Sequence, residues 1–441
     1  MALKSDSLIR SFFSTTTFHG FKFLCAERLH WTERLFWVVC CAFSWFASVV
    51  LMNSAWYSFQ NNAISFVVET NYLDWDTEFP SVSVCETDNQ KRMTEFTDKL
   101  FGDPHDYNLD EVVKEAAFFK GLFFFTLEIC GPNSPPDPNC FKRTLSDYAN
   151  ELKSSCNELF NRCAWNDVEF DCCLYFKELR TDLGYCYVIN NLQTKDRNGY
   201  RMVSNKKSGP GTLRLEINGS TNVYVLGEQE IPSLLTSPVD TIQASPNTRL
   251  RRYFTVKDIE NQPEVKDLSI RQRKCRFPDE NYLEVVPYYS YSGCLLQCKK
   301  TAQMEKCGCA HHLVPNTPIE KRCNITGLSC LNEHYREVTV LKPAWSDRVG
   351  LVCECLPSCT EIQLNVVRDY KESIAEDYAV VELALERLPT ERYKRNVVMG
   401  LLDLVVSMGS AAALFLGASL LSFVELLYYL LIRAMTDYFR R

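Results

Sequence analysis

The chain has 441 residues and a formal net charge of -7. Nucleic-acid binding requires a basic surface that displaces counterions, so this acidic chain is not expected to bind nucleic acid. The sequence contains no Walker loop, dinucleotide-binding glycine pattern or Ser/His/Asp arrangement, and therefore offers no motif typical of an enzyme.

Residues 35–58 are predicted to form a first transmembrane helix. The stretch from Leu35 to Leu51 is uncharged and rich in Phe, Trp and Val, and Trp56 and Tyr57 follow it. Its length suits about 30 Å of hydrocarbon, and the two aromatic residues are typical of a membrane interface. A cleavable signal peptide would begin nearer the N-terminus and carry fewer aromatic residues, so we prefer a membrane anchor.

The central region, residues 59–396, is distinguished by its cysteines. Of the 21 cysteines in the chain, 18 lie between Cys85 and Cys359. An even, dense set confined to one stretch indicates disulfides formed in an oxidising compartment, whereas reduced core cysteines would not be confined to one block. Glycosylation sequons at Asn218 and Asn324 agree with an extracellular location.

A second membrane-spanning segment is predicted at residues 397–432, where Asp403 and Glu425 are the only charged residues. The segment is long for one crossing, which a tilted or interrupted helix would explain. Charges within a membrane are costly and usually face water or ions. At 100° per residue, one helix face collects the polar and small side chains of Asp403, Ser407, Ser410, Leu414 and Gly417.

Two interpretations of this face are open. Small residues let membrane helices approach closely, so the Ser and Ala positions alone are compatible with helix packing. The two acids that bracket the small residues favour a path for cations.

The charges next to both predicted spans indicate the topology. Residues 1–34 carry five Lys or Arg against three Asp or Glu, and residues 433–441 carry three against one. Short basic segments stay on the cytoplasmic side of a membrane. Both termini are therefore predicted to be cytoplasmic and residues 59–396 extracellular.

Six short landmarks occur in a fixed order along the chain. They are His19-Gly20, FPSVSVC at residues 79–85, GYCYVIN at 184–190, CLLQC at 294–298 with CGC at 307–309, CECLPSC at 353–359, and LGASLLS at 416–422 followed by Glu425. In this order they resemble the epithelial sodium channel/degenerin family, most closely its insect pickpocket branch. The resemblance covers nearly the whole chain.

The resemblance implies one subunit of a trimeric channel, with two transmembrane helices and a large disulfide-rich α+β extracellular domain arranged like a clenched hand. It implies a finger-like part at residues 86–185 and a thumb-like part at 275–359. The expected channel is sodium-selective, voltage-independent and amiloride-sensitive, lies in the plasma membrane among its lipids, and needs neither cofactor nor metal. The trimer is formed with identical or related subunits.

The resemblance also implies roles for individual residues. Gly417, Ala418 and Ser419 would interrupt the second helix and form the selectivity filter, because glycine tolerates unwound backbone and exposed oxygens replace part of the hydration shell of sodium. The remaining pore-lining residues would be Asp403, Ser407, Ser410, Leu414, Ser422 and Glu425. The gating residues would be His19, Gly20 and Val406, and Ala413 would contact an amiloride-type blocker.

Matching the cysteines to the family implies six disulfides. They are Cys85–Cys186, Cys275–Cys359, Cys294–Cys355, Cys298–Cys353, Cys307–Cys330 and Cys309–Cys323. Three further bonds are expected in the finger-like part, with the partners left open among Cys130, Cys140, Cys156, Cys163, Cys172 and Cys173.

Several alternatives stay open at this point. The spacing of Cys307, Cys309, His311 and His312 is that of a zinc site, although a disulfide-dense extracellular setting favours cystines. A two-pass receptor or adhesion protein would share the topology but would not need the intramembrane acids. A non-conducting regulatory subunit would share nearly every feature. The sequence does not indicate whether protons, peptides, small extracellular ligands, osmotic change or force gates the channel.

Overall fold

The computed structural model describes residues 16–24, 26, 29–70, 75–102, 105–132, 144–194, 202–343, 345–433 and 435. The chain divides into two compact units. The first unit comprises Met1–Val67, Gln262–Lys274 and Arg395–Arg441, and the second comprises Val68–Asn261 and Cys275–Lys394.

The helices are named here in chain order. They are α1 Phe21–Leu24, α2 Trp31–Asn61, α3 Gln90–Phe101, α4 Asn108–Ala117, α5 Phe125–Cys130, α6 Leu145–Leu152, α7 Cys156–Leu159, α8 Cys172–Tyr175, α9 Ile270–Arg273, α10 Tyr291–Cys307, α11 Ile325–Glu333, α12 Tyr335–Thr339, α13 Leu401–Leu416 and α14 Leu420–Leu427. Short 3-10 turns lie at Pro238–Asp240, Pro263–Asp267 and Ile319–Lys321, and a π-helical turn at Tyr428–Arg433 follows α14.

The strands are named in the same way. They are β1 Ile64–Glu69, β2 Thr77–Glu78, β3 Ser81–Asp88, β4 Phe160–Trp165, β5 Val168–Phe170, β6 Lys177–Thr181, β7 Gly184–Ile189, β8 Val203–Ser204, β9 Thr212–Ile217, β10 Ser220–Leu226, β11 Thr241–Ala244, β12 Thr248–Asn261, β13 Gln363–Ser373, β14 Ala379–Leu385 and β15 Arg392–Val397.

Helix α2 lies in the first unit. Among the described residues it is the only unbroken helix that is long and apolar enough to cross a membrane. It begins where the His30 ring accepts a hydrogen bond from the Thr32 amide, and it extends beyond both ends of the predicted span. Of its 31 residues, 19 are exposed on the single chain, 11 are half-buried and Ser48 is buried. An apolar helix that its own chain leaves exposed is normally covered by lipid or by neighbouring subunits.

The second apolar segment of this unit is interrupted. α13 and α14 are long and apolar enough to cross a membrane only as a pair, and their axes are bent by 72°. The break falls at residues 417–419, the position that the family resemblance implies. α13 begins at Leu401 rather than at residue 397, because strand β15 continues to Val397 and the amides of Val398 and Met399 then donate to the Ala63 carbonyl.

α13 packs against α2. The buried side chains of α13 are Leu404, Ala411 and Ala412. Small residues at such a contact allow two helix backbones to approach closely. The burial of Ala411 and Ala412 therefore agrees with the interpretation that small residues of this helix serve helix packing.

The second unit contains two large β-sheets and a small sheet formed by β2 and β8. In one, β12 pairs with β14 in parallel and with β13 antiparallel, and β9, β4 and β5 extend the sheet from β14. The other has the order β11-β10-β3-β7-β6 and is antiparallel throughout. Alternate residues of β9, Leu213, Leu215 and Ile217, are fully buried, as a strand with one face in the core requires.

The stretch at residues 86–185, predicted as finger-like, contains both helices and strands. Helices α3 to α6 occupy its first portion, and β4 to β6 belong to the two large sheets. Phe160, Cys163 and Trp165 are buried in the main hydrophobic core, with Trp165 4.9 Å from Phe79 between ring centroids. The end of this stretch therefore shares its core with strands from elsewhere in the second unit.

All six disulfides implied by the resemblance are present. Two bonds left open are Cys156–Cys173 and Cys163–Cys172, and Cys130 is also disulfide-bonded. Cys140 and Cys25 lie outside the described residues. Each closed loop contributes about 2–4 kcal/mol to stability, so the bonds spanning residues 275–359 fix the thumb-like part.

Two of the four residues of the zinc alternative take part in these bonds. Cys307 and Cys309 are consumed in disulfides and present no thiolate to a metal. His311 and His312 are instead 3% and 1% exposed and lie among aromatic side chains, with the His311 and Phe119 ring centroids 4.1 Å apart. The His312 Nε2 lies 2.8 Å from the Ala116 carbonyl, which ties the thumb-like part to α4. Burial lowers the pKa of His312 to about 4, and that of His311 well below its ordinary value.

We expect acid to destabilise the folded protein through His312. A histidine in the unfolded chain titrates near pH 6.5, so the unfolded state binds the proton first as pH falls. The free energy of unfolding should therefore decrease from about pH 6.5 to pH 4, by about 3 kcal/mol from this residue. Denaturant unfolding of the purified full-length protein at several pH values measures this decrease.

The variant His312→Gln keeps an N–H donor for the Ala116 carbonyl and removes the titrating ring. It should match the wild type near pH 7 and lose less stability at pH 4.5. Equal acid losses in the two proteins would contradict the assignment.

Candidate functional site

The predicted polar face of α13 lies beside, not within, the contact with α2. Asp403, Ser410 and Leu414 are exposed on the single chain, and Ser407 is half-buried. The buried residues Leu404, Ala411 and Ala412 are centred about 120° around the helix from Asp403. The polar face is therefore free to meet neighbouring copies of the chain or water.

Asp403 also has a local structural role. Its carboxylate accepts a hydrogen bond from the Gly400 amide, with 2.9 Å between nitrogen and oxygen. A carboxylate in the first turn of a helix satisfies a free N–H group and complements the helix dipole. Glu425, at the other end of the predicted path, is half-buried in α14.

The helix break is built by Gly417. This residue ends α13 in the left-handed conformation, with φ of 64°, and its amide donates to the Ala413 carbonyl. Glycine adopts this conformation without the steric penalty of a side chain. Ala418 is 5% exposed and Ser419 is exposed.

Two serines restart the helix after the break. The Ser419 Oγ accepts from the Ser422 amide at 3.3 Å, and the Ser422 Oγ accepts from the Ser419 amide at 3.0 Å. This reciprocal arrangement is a capping box, which satisfies two N–H groups at the start of α14. Ser422 is 1% exposed.

Two backbone oxygens at the break differ from their neighbours. Within the described part of the chain, no backbone N–H donates to the carbonyl of Gly417 or Ala418. By contrast, the Leu416 and Ser419 carbonyls both accept hydrogen bonds. Among the described residues, the break therefore offers two carbonyl oxygens, beside the hydroxyl of Ser419, that no backbone N–H occupies.

The predicted gating pair His19-Gly20 lies directly against this break. The His19 amide donates to the Leu416 carbonyl at 2.9 Å. A Cβ atom added to Gly417 would lie 2.5 Å from the His19 ring, and one added to Gly20 would lie 2.5 Å from the Cys41 Sγ. The loop is therefore packed tightly between α2 and the break.

Thr17 is a contact that sequence reasoning missed. Its Oγ1 lies 2.7 Å from the Ser422 Oγ, across 405 positions of sequence. The one signal in the sequence is a hydroxyl residue two positions before His19, and nothing in a single sequence connects it with residue 422.

Other predicted residues have simpler surroundings. Val406 is 58% exposed on the single chain and is not buried against α2. Ala413 is also exposed, one turn before Gly417. Of the two sequons, Asn324 is exposed at the start of α11, whereas Asn218 is half-buried and its amide donates to the Glu158 carbonyl.

A family model described as "Amiloride-sensitive sodium channel" matches residues 12–429 of the chain. Sodium channel protein Nach of Drosophila ananassae is 23% identical over 440 residues, which cover 95% of this chain and 85% of that protein. Pickpocket protein 19 of Drosophila melanogaster is 22% identical, covering 95% and 89%. The bile acid-sensitive ion channel of Homo sapiens is 25% identical over 167 residues, covering 32% and 31%.

Among solved structures, one described as a proton-activated chloride channel aligns with 90% of this chain and 96% of its own chain. Its identity is 8% and its TM-score 0.26, a likeness too low to support an argument about this fold.

We expect Gly417→Ala to destabilise the full-length protein. The new methyl group would collide with the His19 ring, and a non-glycine residue in the left-handed conformation costs roughly 1–2 kcal/mol. Gly409→Ala is the matched control, because Gly409 lies in the interior of α13 with nothing within 4 Å of an added Cβ. That substitution should be neutral or stabilising by about 0.5–1 kcal/mol.

Thermal unfolding of the purified variants measures the difference. A Gly417→Ala midpoint equal to that of Gly409→Ala would contradict the packing of His19 against the break.

Proposed function

Since the chain belongs to the amiloride-sensitive sodium channel family, whose members are ion channels and not enzymes, we propose that it is a subunit of a sodium-selective, amiloride-sensitive and voltage-independent cation channel of the plasma membrane. The observation that carries this proposal is the broken apolar helix at Gly417–Ser419, with carbonyl oxygens that no backbone N–H of the described residues occupies and with the His19-Gly20 loop against it. A plain membrane anchor needs no such break.

In this proposal the chain crosses the membrane twice. α2 forms one span, and α13 with α14 forms the other as a single interrupted span. The exposed apolar surfaces of these helices support contact with lipid or neighbouring subunits. The basic flanks of both spans support cytoplasmic termini and an extracellular, disulfide-bonded second unit.

Several copies must surround the ion path, and we propose three, identical or related. One chain presents the polar face of α13 on one side only, so a closed passage requires the same face from its neighbours. Short side chains at residues 417–419 let the chains converge at their narrowest point. The carbonyls at the break and the Ser419 hydroxyl would there replace part of the hydration shell of sodium, and Glu425 would attract cations beyond the ring.

Expression of the chain alone in a cell line without such currents tests the function. The expected result is a sodium-selective current that reverses with the sodium gradient, is independent of voltage and is blocked by amiloride. A chain that reaches the surface without current, yet alters the current of co-expressed related subunits, would favour the regulatory-subunit alternative. A chain that does neither would favour a receptor or adhesion protein.

Substitutions within the proposed filter should affect different properties. Ala418 is buried at the break, so Ala418→Leu should abolish the current by overpacking. Ser419→Ala should lower the permeability ratio of sodium to potassium, because it removes one coordinating oxygen. Ser54→Ala, an exposed serine of α2, is the control and should leave the ratio unchanged. An unchanged ratio in Ser419→Ala would place the filter elsewhere.

Val406 is proposed to bias the gate. Three copies of α13 would converge near this residue in a closed channel, and a bulky side chain there favours the splayed, open state. Overpacking costs of about 1–3 kcal/mol correspond to a shift of roughly 5- to 150-fold between two states. Val406→Gly should therefore lower the basal current. Unchanged basal current at normal surface expression would mean that Val406 faces lipid.

A further inference from the structure

Three hydroxyl groups form a continuous row from the N-terminal loop to the proposed filter. The Thr17 Oγ1 lies 2.7 Å from the Ser422 Oγ, and the Ser422 Oγ lies 3.1 Å from the Ser419 Oγ. The middle hydroxyl belongs to a residue that is 1% exposed. Its hydrogen bonds are therefore made with these neighbours rather than with bulk water.

The direction in which each hydroxyl of this row donates follows from counting its proton and its lone pairs. A serine hydroxyl has one proton to donate and two lone pairs that accept. The Ser422 Oγ already accepts from the Ser419 amide, and the Ser419 Oγ already accepts from the Ser422 amide. Each oxygen therefore has one lone pair and one proton left.

Of the two ways in which Ser419 and Ser422 can share a hydrogen bond, only one leaves the Ser419 oxygen able to bind a cation. If Ser422 donates to Ser419, both lone pairs of the Ser419 oxygen are occupied. If Ser419 donates to Ser422, the Ser419 oxygen keeps a free lone pair, and Ser422 must place its own proton on a third acceptor. Among the described residues, Thr17 is the acceptor at hydrogen-bonding distance.

We propose that Thr17 is a positioning residue of the ion path: by accepting the Ser422 proton, it sets the hydroxyl row in the direction that leaves a Ser419 lone pair free for the permeating cation. This inference rests on the proposed function. It assigns to the N-terminal loop a part in ion selectivity that is distinct from holding the helix break in place.

The test compares isosteric and conservative substitutions at Thr17 in the full-length channel. Thr17→Val keeps the shape and removes the acceptor, so the Ser422 proton turns to Ser419. The permeability ratio of sodium to potassium, read from reversal potentials, should fall about 2- to 10-fold, the range expected for one hydrogen bond. Thr17→Ser retains the hydroxyl and should restore the ratio.

Thr16→Val is the matched control in the same loop. The Thr16 hydroxyl accepts from the Phe18 amide and makes no hydrogen bond with the break among the described residues, so the ratio should stay at the wild-type value. Reversal potentials do not depend on the number of channels, and a merely lower yield of folded protein would therefore not imitate the effect.

A double-mutant cycle separates the hydroxyl row from a general loss of packing. In a Ser422→Ala background the row is already cut, so adding Thr17→Val should cause no further change in the ratio. An undiminished effect of Thr17→Val in that background would overturn the proposal. So would a wild-type ratio in Thr17→Val itself.

A cross-linking experiment tests the contact between Thr17 and Ser422 independently of whether the chain carries current. With Cys25, Cys40 and Cys41 replaced by serine, Thr17→Cys with Ser422→Cys should form a disulfide on mild oxidation of membranes, detected by peptide mapping. Absence of this bond would overturn the contact. If the disulfide forms but the chain carries no current, the proposed channel function is wrong. If a selective current is unaffected by Thr17→Val, only the proposed role of the hydroxyl row is wrong.

Discussion

The arrangement of the first unit depends on which hydrogen bonds satisfy the backbone carbonyl groups at the end of α13. When a helix stops, its last carbonyls lose their intrahelical donors, and hydrocarbon contains no water to replace them. The Gly417 amide satisfies the Ala413 carbonyl, and the His19 amide satisfies that of Leu416. The N-terminal loop therefore supplies one of the hydrogen bonds that complete the break, and residues far apart in sequence form one structural element.

The two glycines of this element explain how tightly it is assembled. Gly20 has a φ of 82° and its Cα lies close to Cys41 of α2, while Gly417 has a φ of 64° and lies against the His19 ring. A side chain at either position would collide and also strain the backbone. The loop consequently contacts α2 on one side and the break on the other.

The sequence was most informative where a local pattern has one physical solution. A long uncharged run gives a helix, whereas the position of the break at Gly417 came from the family resemblance. The partners of Cys156 and Cys163 could not be predicted, because the adjacent Cys172 and Cys173 offer two assignments that only the geometry of β4 and α8 decides. The Thr17 contact is harder still, since neither periodicity nor composition links residues at opposite ends of a chain.

In the proposed channel, the bonded and the unbonded oxygens at the break would have different consequences for selectivity. The loop occupies the Leu416 carbonyl, whereas no described backbone N–H donates to the carbonyls of Gly417 and Ala418. A cation that sheds part of its hydration shell is discriminated by the number and arrangement of oxygens that replace the water. By occupying one backbone oxygen and not the next two, the N-terminal loop would limit how many the filter offers, and Thr17 would extend the same control to a side-chain oxygen. Selectivity would then belong jointly to the two ends of the chain rather than to the residues of the break alone.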